Sequence, residues 1–143
     1  MEEKRIIVSA CLLGLHCKYN GGENFSPAVA EYVKGHKFLA VCPEQLGGLP
    51  TPRIPAEIVN GVVTNRAGVS VDAEFRRGAA IALRLAEEYG ATEAVLQSRS
   101  PSCGCREIYD GTFTGTKKAG QGVFTELLTQ AVIKVTDADE VKK

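Results

Sequence analysis

Five cysteines are the residues of this chain that most clearly suggest chemistry. They are Cys11, Cys17, Cys42, Cys103 and Cys105, in a chain of 143 residues. An odd number of cysteines in a chain of this length argues against a disulfide framework and favours metal binding or catalysis. Thiolates are soft ligands that suit iron–sulfur clusters and zinc. Inert buried thiols are the alternative interpretation, because free cysteine is among the most buried residue types.

The loops around three of these cysteines contain glycine or proline. They span residues 9–14, 42–48 and 98–104. Such loops let the backbone approach a bulky inorganic group and direct amide N–H groups towards it. No cysteine pair has the CxxC spacing of a zinc ribbon, and Cys103 and Cys105 are too close in sequence to be a standard pair on one zinc. The spacing therefore disfavours a zinc ribbon.

The hydrophobic pattern predicts elements that would position these loops. Buried strands are predicted at 5–10, 38–42, 94–97 and 132–135, helices at 26–35, 72–90 and 122–131, and a hairpin at 57–64. Ser26 and Asp72 are predicted to cap the starts of two helices, and Gly35 and Gly90 to end them. Residues 47–55 are predicted to be a loop, and residues 137–143 a polar tail.

Alternating strands and helices predict an α/β fold. We expect one Rossmann-like domain over residues 1–143, a three-layer sandwich with a mostly parallel sheet. Ligands of such sheets bind outside the carboxyl ends of the strands. Cys11 follows the first strand, Cys42 ends the second, and Cys103 lies in the loop after the third. The three cysteines should therefore lie at the same edge of the sheet.

Composition excludes several classes of protein. Hydrophobic residues make up 44% of the chain, and 17 basic residues balance 17 acidic ones. These values argue against disorder and against a strongly basic nucleic-acid binder. The apolar run before Cys11 is shorter than the roughly 7–15 residues of an export signal, and no stretch approaches the roughly 20 apolar residues of a membrane span. We expect a cytoplasmic protein.

Five segments of the chain carry a family resemblance. They read VSACLLG at 8–14, CPE at 42–44, LGGLPTPR at 46–53, SPSCG at 100–104 and IYDGTF at 108–113. In this order, across residues 5–135, the chain resembles the thiouracil desulfidase family. The resemblance implies a 4Fe–4S cluster held by Cys11, Cys42 and Cys103, with one iron open for the sulfur of a thiocarbonyl. It also implies a non-redox reaction that releases uracil and hydrosulfide.

The resemblance assigns the catalytic roles to Glu44 and Ser100. Glu44 lies two residues from Cys42 across a stiff proline, so it is expected beside the cluster as a general base. Ser100 is expected to donate a proton to the ring or to relay one. Without the resemblance, Glu44 would equally be a solvated loop carboxylate, and Ser100 a turn serine before Pro101.

The remaining polar residues have less defined predictions. Cys17 and Cys105 match no ligand position. Arg53 is expected either to balance the charge of the cluster or substrate or to lie on the surface. Residues 109–111 are expected either to line the pocket or to form a turn.

The sequence thus predicts an enzyme that desulfurates 4-thiouracil or its nucleoside or nucleotide. An alternative substrate is 4-thiouridine in tRNA, which the balanced charge disfavours because tRNA binding relies on basic surface. A more distant alternative is a non-enzymatic module that binds zinc or a cluster. An electron carrier would normally use four cysteines for each cluster.

Overall fold

The computed structural model describes residues 3–141. Its elements in chain order are β1 (Arg5–Ser9), α1 (Pro27–Lys34), β2 (Lys37–Val41), α2 (Pro43–Leu46), β3 (Ala56–Val59), β4 (Val62–Asn65), α3 (Asp72–Tyr89), β5 (Glu93–Leu96), β6 (Glu107–Tyr109), β7 (Lys117–Ala119), α4 (Val123–Gln130) and β8 (Lys134–Asp137). Two short 3-10 helical turns, Ala10–Leu13 and Ala138–Glu140, follow β1 and β8. No helix in the described part of the chain is long and apolar enough to cross a membrane.

Four strands form the central sheet, in the order β2-β1-β5-β8. All three pairings are parallel. In the β1–β2 pair, Ser9 is opposite Val41, so the chain leaves both strands at the same level of the sheet. This arrangement confirms the predicted α/β fold with a mostly parallel sheet. The carboxyl ends of β1, β2 and β5 meet at one edge.

Each face of the sheet packs against a separate group of helices. Successive side chains of a strand point to opposite faces, and the contacts follow this alternation. Ile7 packs with Phe75 of α3 and Phe124 of α4, whereas Ile6 packs with Val29 of α1. Each of these apolar side chains is almost fully buried, which contributes about 1.5–3 kcal/mol per side chain. The sheet is therefore covered on both faces.

Two glycines allow α2 to cross α3 in backbone contact. A Cβ atom at Gly47 would overlap the carbonyl oxygen of Glu74, and one at Gly78 would overlap the carbonyl oxygen of Pro43. Only glycine therefore permits this approach. The crossing fixes the start of α2, directly after Cys42, against the long helix α3.

Three predicted boundaries are wrong. Val71, not Asp72, is the residue before α3, and the Asp72 carboxylate accepts the N–H of Val63 at 2.9 Å instead of capping its own helix. The last strand begins at Lys134 because Val132, with φ +61° and 91% exposed, is part of the turn after α4. Asp137 is buried in β8 and is not part of a polar tail. The last two residues of the predicted tail lie outside the described residues.

The predicted hairpin turn is confirmed, and a second hairpin was missed. Asn60 and Gly61 join β3 and β4, and both have positive φ, as a two-residue turn of this kind requires. The antiparallel pair of β6 and β7 was not predicted, because its strands have three residues each and show no clear alternation. Residues 47–55 lie in a loop, as predicted.

Candidate functional site

The three predicted cysteines meet in one cavity at the carboxyl edge of the sheet. Cys11 lies in the 3-10 turn after β1, Cys42 directly follows β2, and Cys103 lies in the loop after β5. All three line a cavity of about 780 Å³. Cys11 and Cys103 are buried, and Cys42 is half-buried. Glu44 and Ser100 line the same cavity, so the five residues singled out from the sequence are neighbours in the fold.

Glu44 is held by a buried arginine. Arg53 donates from Nε at 3.2 Å and from Nη2 at 2.9 Å, and both bonds reach Oε1 of Glu44. The two side chains are only 7% and 17% exposed, for Arg53 and Glu44 respectively. Within residues 3–141, the other carboxylate oxygen, Oε2, accepts no hydrogen bond. Glu44 is therefore not a solvated loop carboxylate, and one of its oxygens remains available in the cavity.

The other N–H groups of Arg53 bind the surrounding loops. Nη2 donates to the carbonyl oxygen of Cys17 at 2.9 Å, and Nη1 donates to the Pro50 carbonyl and to Oγ1 of Thr51. A guanidinium has five N–H donors, and all five are used. Arg53 therefore does not lie on the surface, and its charge is directed at Glu44.

Ser100 stabilises its own loop and directs its hydroxyl proton at Cys103. Its Oγ accepts the backbone N–H of Ser102 at 3.0 Å and that of Cys103 at 2.9 Å. A hydroxyl has two acceptor lone pairs and one donor hydrogen, so these bonds leave the O–H available to donate. The turn role considered from the sequence is correct, and it orients the hydroxyl as a donor next to Cys103.

Burial and two neighbouring hydroxyls act in opposite directions on the pKa of the Cys103 thiol. Burial raises the pKa of Cys103, and hydrogen bonds from the hydroxyls of Ser9 and Ser100 oppose that shift. Ser9 is itself buried and accepts the N–H of Gln97 at 2.9 Å. Sequence reasoning missed Ser9, although its position two residues after Ile7 in β1 predicts that it shares the face of Ile7.

Cys17 lies beside two of the predicted ligands. It is buried and lines the same cavity. A hydrogen bond between the thiols of Cys17 and Cys11 lowers the pKa of Cys11 and raises that of Cys17 to about 11. A hydrogen bond with Cys17 is also the main cause that raises the pKa of Cys42. Cys17 is therefore part of the thiol group, although its sequence position suggested no role.

Cys105 does not line the cavity. Its thiol faces Oδ2 of Asp137 at 3.8 Å. Burial, followed by the nearby carboxylate of Asp137, raises the pKa of Cys105 to about 11.

In residues 3–141, no group of three or more His, Cys, Asp or Glu side chains is close enough to hold a single metal ion.

The loop after β6 forms another wall of the cavity. Tyr109 and Phe113 line it, together with Glu57 from β3. The Asp110 carboxylate accepts the N–H of Thr112 at 3.0 Å and so forms a turn. Both alternatives considered for residues 109–111 therefore hold, since Tyr109 lines the cavity and Asp110 makes a turn.

A model of the 2-thiouracil desulfurase family matches residues 6–140. The chain belongs to this family. The uncharacterised protein YbbK of Bacillus subtilis (strain 168) is 40% identical to this chain over 146 residues, which cover 95% of this chain and 97% of YbbK. A solved structure of the [4Fe-4S]-dependent thiouracil desulfidase TudS is 44% identical, with a TM-score of 0.91 over 98% of this chain and 93% of TudS. The family suggested by the five sequence segments is confirmed.

Proposed function

We propose that the chain is a [4Fe–4S]-dependent desulfidase that converts 4-thiouracil, or its nucleoside or nucleotide, to uracil and hydrosulfide. The observation that carries the proposal is that Cys11, Cys42, Cys103, Glu44 and Ser100 line one cavity. The similarity to TudS over nearly the whole chain supports the same assignment. The expected location is the cytoplasm, where thiols stay reduced.

Cys11, Cys42 and Cys103 would hold the cluster, one from each of three loops. Their burial and their glycine- or proline-containing loops suit a bulky inorganic group that is shielded from water. We assign Cys17 a different role, because the Cys42 thiol donates to its backbone carbonyl oxygen at 3.8 Å and Cys17 lies outside the three loop motifs that resemble the family's ligand positions. One iron would then lack a protein thiolate.

A single zinc ion fits these residues less well. Four ligands at about 2.0–2.3 Å from one zinc must lie close to each other, and the described part of the chain contains no such group of three. The 44% identity to the [4Fe-4S]-dependent TudS favours the cluster over the zinc module considered from the sequence.

When bound, the cluster would supply a Lewis-acidic iron for the soft sulfur of a thiocarbonyl. Glu44 would take a proton from water through Oε2, while Arg53 holds Oε1. The O–H of Ser100 would donate to the substrate where negative charge develops. In the balanced reaction, the oxygen of water replaces sulfur on the ring carbon and the sulfur leaves as hydrosulfide. No electrons enter or leave.

The direct test is turnover of 4-thiouracil by protein purified without oxygen. The thiocarbonyl absorbance should disappear while uracil and sulfide appear in equal amounts. Cys11→Ser, Cys42→Ser and Cys103→Ser should each abolish cluster binding and turnover. Cys17→Ser should retain iron, and Cys105→Ser is the matched control because its thiol lies outside the cavity. Full iron in the Cys103→Ser protein would refute the ligand assignment.

Substrate size is tested in the same assay. The chain has no net charge, and tRNA binding depends largely on basic surface that neutralises phosphates. We therefore expect free 4-thiouracil and its nucleoside forms to lose sulfur at least as fast as 4-thiouridine in tRNA. Much faster loss of sulfur from thiolated tRNA would make tRNA the substrate instead.

A further inference from the structure

A buried carboxylate fixes one wall of the cavity and has no part in the mechanism above. Glu57 of β3 is 8% exposed. Its Oε1 accepts the N–H of Gly111 at 3.0 Å and the N–H of Phe113 at 3.2 Å. Burying a carboxylate is costly unless it is hydrogen-bonded, and both of these bonds go to the loop that contains Phe113. Glu57 therefore fixes the position of this loop.

Gly111 brings the loop into close contact with β3. Its φ is +94°, and a Cβ atom there would lie 2.7 Å from the carbonyl oxygen of Ile58. A side chain would have both a strained backbone and a steric clash. The loop can therefore pack directly on the strand that carries Glu57, and its position is fixed by backbone contact as well as by hydrogen bonds.

Phe113 itself has an unusual backbone conformation. Its φ is +57°, in the left-handed region that bulky residues rarely adopt. Such strain persists only where the surroundings enforce it, and it is concentrated at functional sites. The Arg66 guanidinium lies 5.9 Å from the centroid of the ring, within the range of a cation–π interaction. Phe113 and Arg66 both line the cavity that contains the cysteines.

We propose that Phe113 is a specificity-determining residue whose ring stacks on the planar face of a pyrimidine substrate. The inference rests on the proposed function, since it concerns the substrate of that site. A thiocarbonyl sulfur can belong to a flat aromatic ring or to an acyclic thioamide, and an iron would accept either. An aromatic ring fixed in the wall discriminates between them, because a base offers a π face for stacking.

The test measures binding of uracil, the sulfur-free product, to the cluster-loaded protein by calorimetry. Phe113→Leu should weaken uracil binding by about 5- to 150-fold, the range for losing one base–aromatic stack. Phe113→Tyr keeps the π face and should bind like the unmodified protein. Phe38→Leu is the matched control, because Phe38 is an exposed phenylalanine of β2 outside the cavity. It should leave binding unchanged.

Kinetics with 4-thiouracil separate stacking from a structural role. Phe113→Leu should raise KM by a similar factor, with kcat within about twofold and the iron content unchanged, because stacking affects binding and not the cluster. Unchanged uracil affinity in Phe113→Leu would overturn the proposal. Equal losses in Phe113→Leu and Phe113→Tyr would also overturn it. Iron-loaded protein that leaves 4-thiouracil intact would refute the proposed function, and the calorimetric comparison would still decide the role of Phe113.

Discussion

Replacing Arg53 by glutamine would leave the Glu44 carboxylate buried without its positive partner. Two of the five guanidinium N–H groups reach Oε1 of Glu44, and the rest bind neighbouring loops. Glutamine is too short and has too few donors to replace this network. The change should therefore destabilise the fold mainly through the unpaired charge.

The expected cost follows from the burial of the pair. Removing one partner of a buried ion pair costs about 3–5 kcal/mol, and the residual exposure of Glu44 favours the lower value. A loss of about 3 kcal/mol with an m-value of about 2 kcal/mol per molar urea lowers the unfolding midpoint by about 1.5 M. In a Glu44→Gln background no charge remains to be left unpaired. In that background Arg53→Gln should lower the free energy of unfolding by about 2 kcal/mol less than it does in the protein that retains Glu44.

Urea unfolding measures the coupling between Arg53 and Glu44 directly. It compares the unmodified protein, Arg53→Gln, Glu44→Gln and the double variant, all matched for iron content. Arg77→Gln is the matched control, because Arg77 donates only to the carbonyl oxygen of Gly47 and pairs with no carboxylate in residues 3–141. It should cost about 1 kcal/mol. A coupling between Arg53 and Glu44 below about 0.5 kcal/mol would refute the argument that Arg53 stabilises the Glu44 carboxylate.

Four further outcomes are expected. Glu44→Gln should keep its iron and lose about 10²–10⁴-fold in turnover, because an amide cannot accept the proton of water; near-normal turnover would make Glu44 a bystander. Ser100→Ala should lower turnover at least about 10-fold, because it removes a proton donor, and unchanged kinetics would exclude that role. Iron retention against a chelator should strengthen with rising pH, by about tenfold per pH unit for each thiol that must lose a proton. The pKa of Cys42 is raised chiefly by its hydrogen bond with Cys17, and that of Cys103 by burial, so both thiols release protons when they bind iron; a flat pH profile would contradict this. Gly78→Ala should lower the free energy of unfolding by about 3 kcal/mol and reduce iron content, because a Cβ atom there overlaps the Pro43 carbonyl. Urea unfolding and iron analysis measure these two effects. Normal stability would contradict the close backbone contact between α2 and α3.

The central fold could be predicted because its signals are local. The run of apolar residues in β1 and the helical spacing from Phe75 to Ala86 each specify an element, and alternation of strands and helices specifies a parallel sheet. The boundaries at Asp72 and Val132 could not be predicted in this way. Asp72 bonds to a different element, and Val132 adopts a conformation unusual for a β-branched residue.

The candidate site was only partly predictable, because some of its contacts join residues that are far apart in sequence. Cysteines that follow strands can be located from the strands themselves, and Glu44 is near Cys42 in sequence. The pairing of Arg53 with Glu44 depends on how residues 47–55 fold back, and that loop has no periodic pattern. The packing of Cys17 with Cys11 and Cys42 and the hydrogen bonds from the Phe113 loop to Glu57 likewise depend on tertiary structure.

Mössbauer spectroscopy of iron-57 protein, prepared without oxygen and titrated with 4-thiouracil, tests the central claim most directly. With three cysteine ligands, one iron in four should have a Mössbauer signal that differs from those of the other three before substrate is added. Only that signal should shift when 4-thiouracil is added. The Glu44→Gln protein should give the same response, and its slow turnover should preserve it. Four equivalent irons that do not respond to 4-thiouracil, or a protein that contains zinc and no iron, would contradict the account.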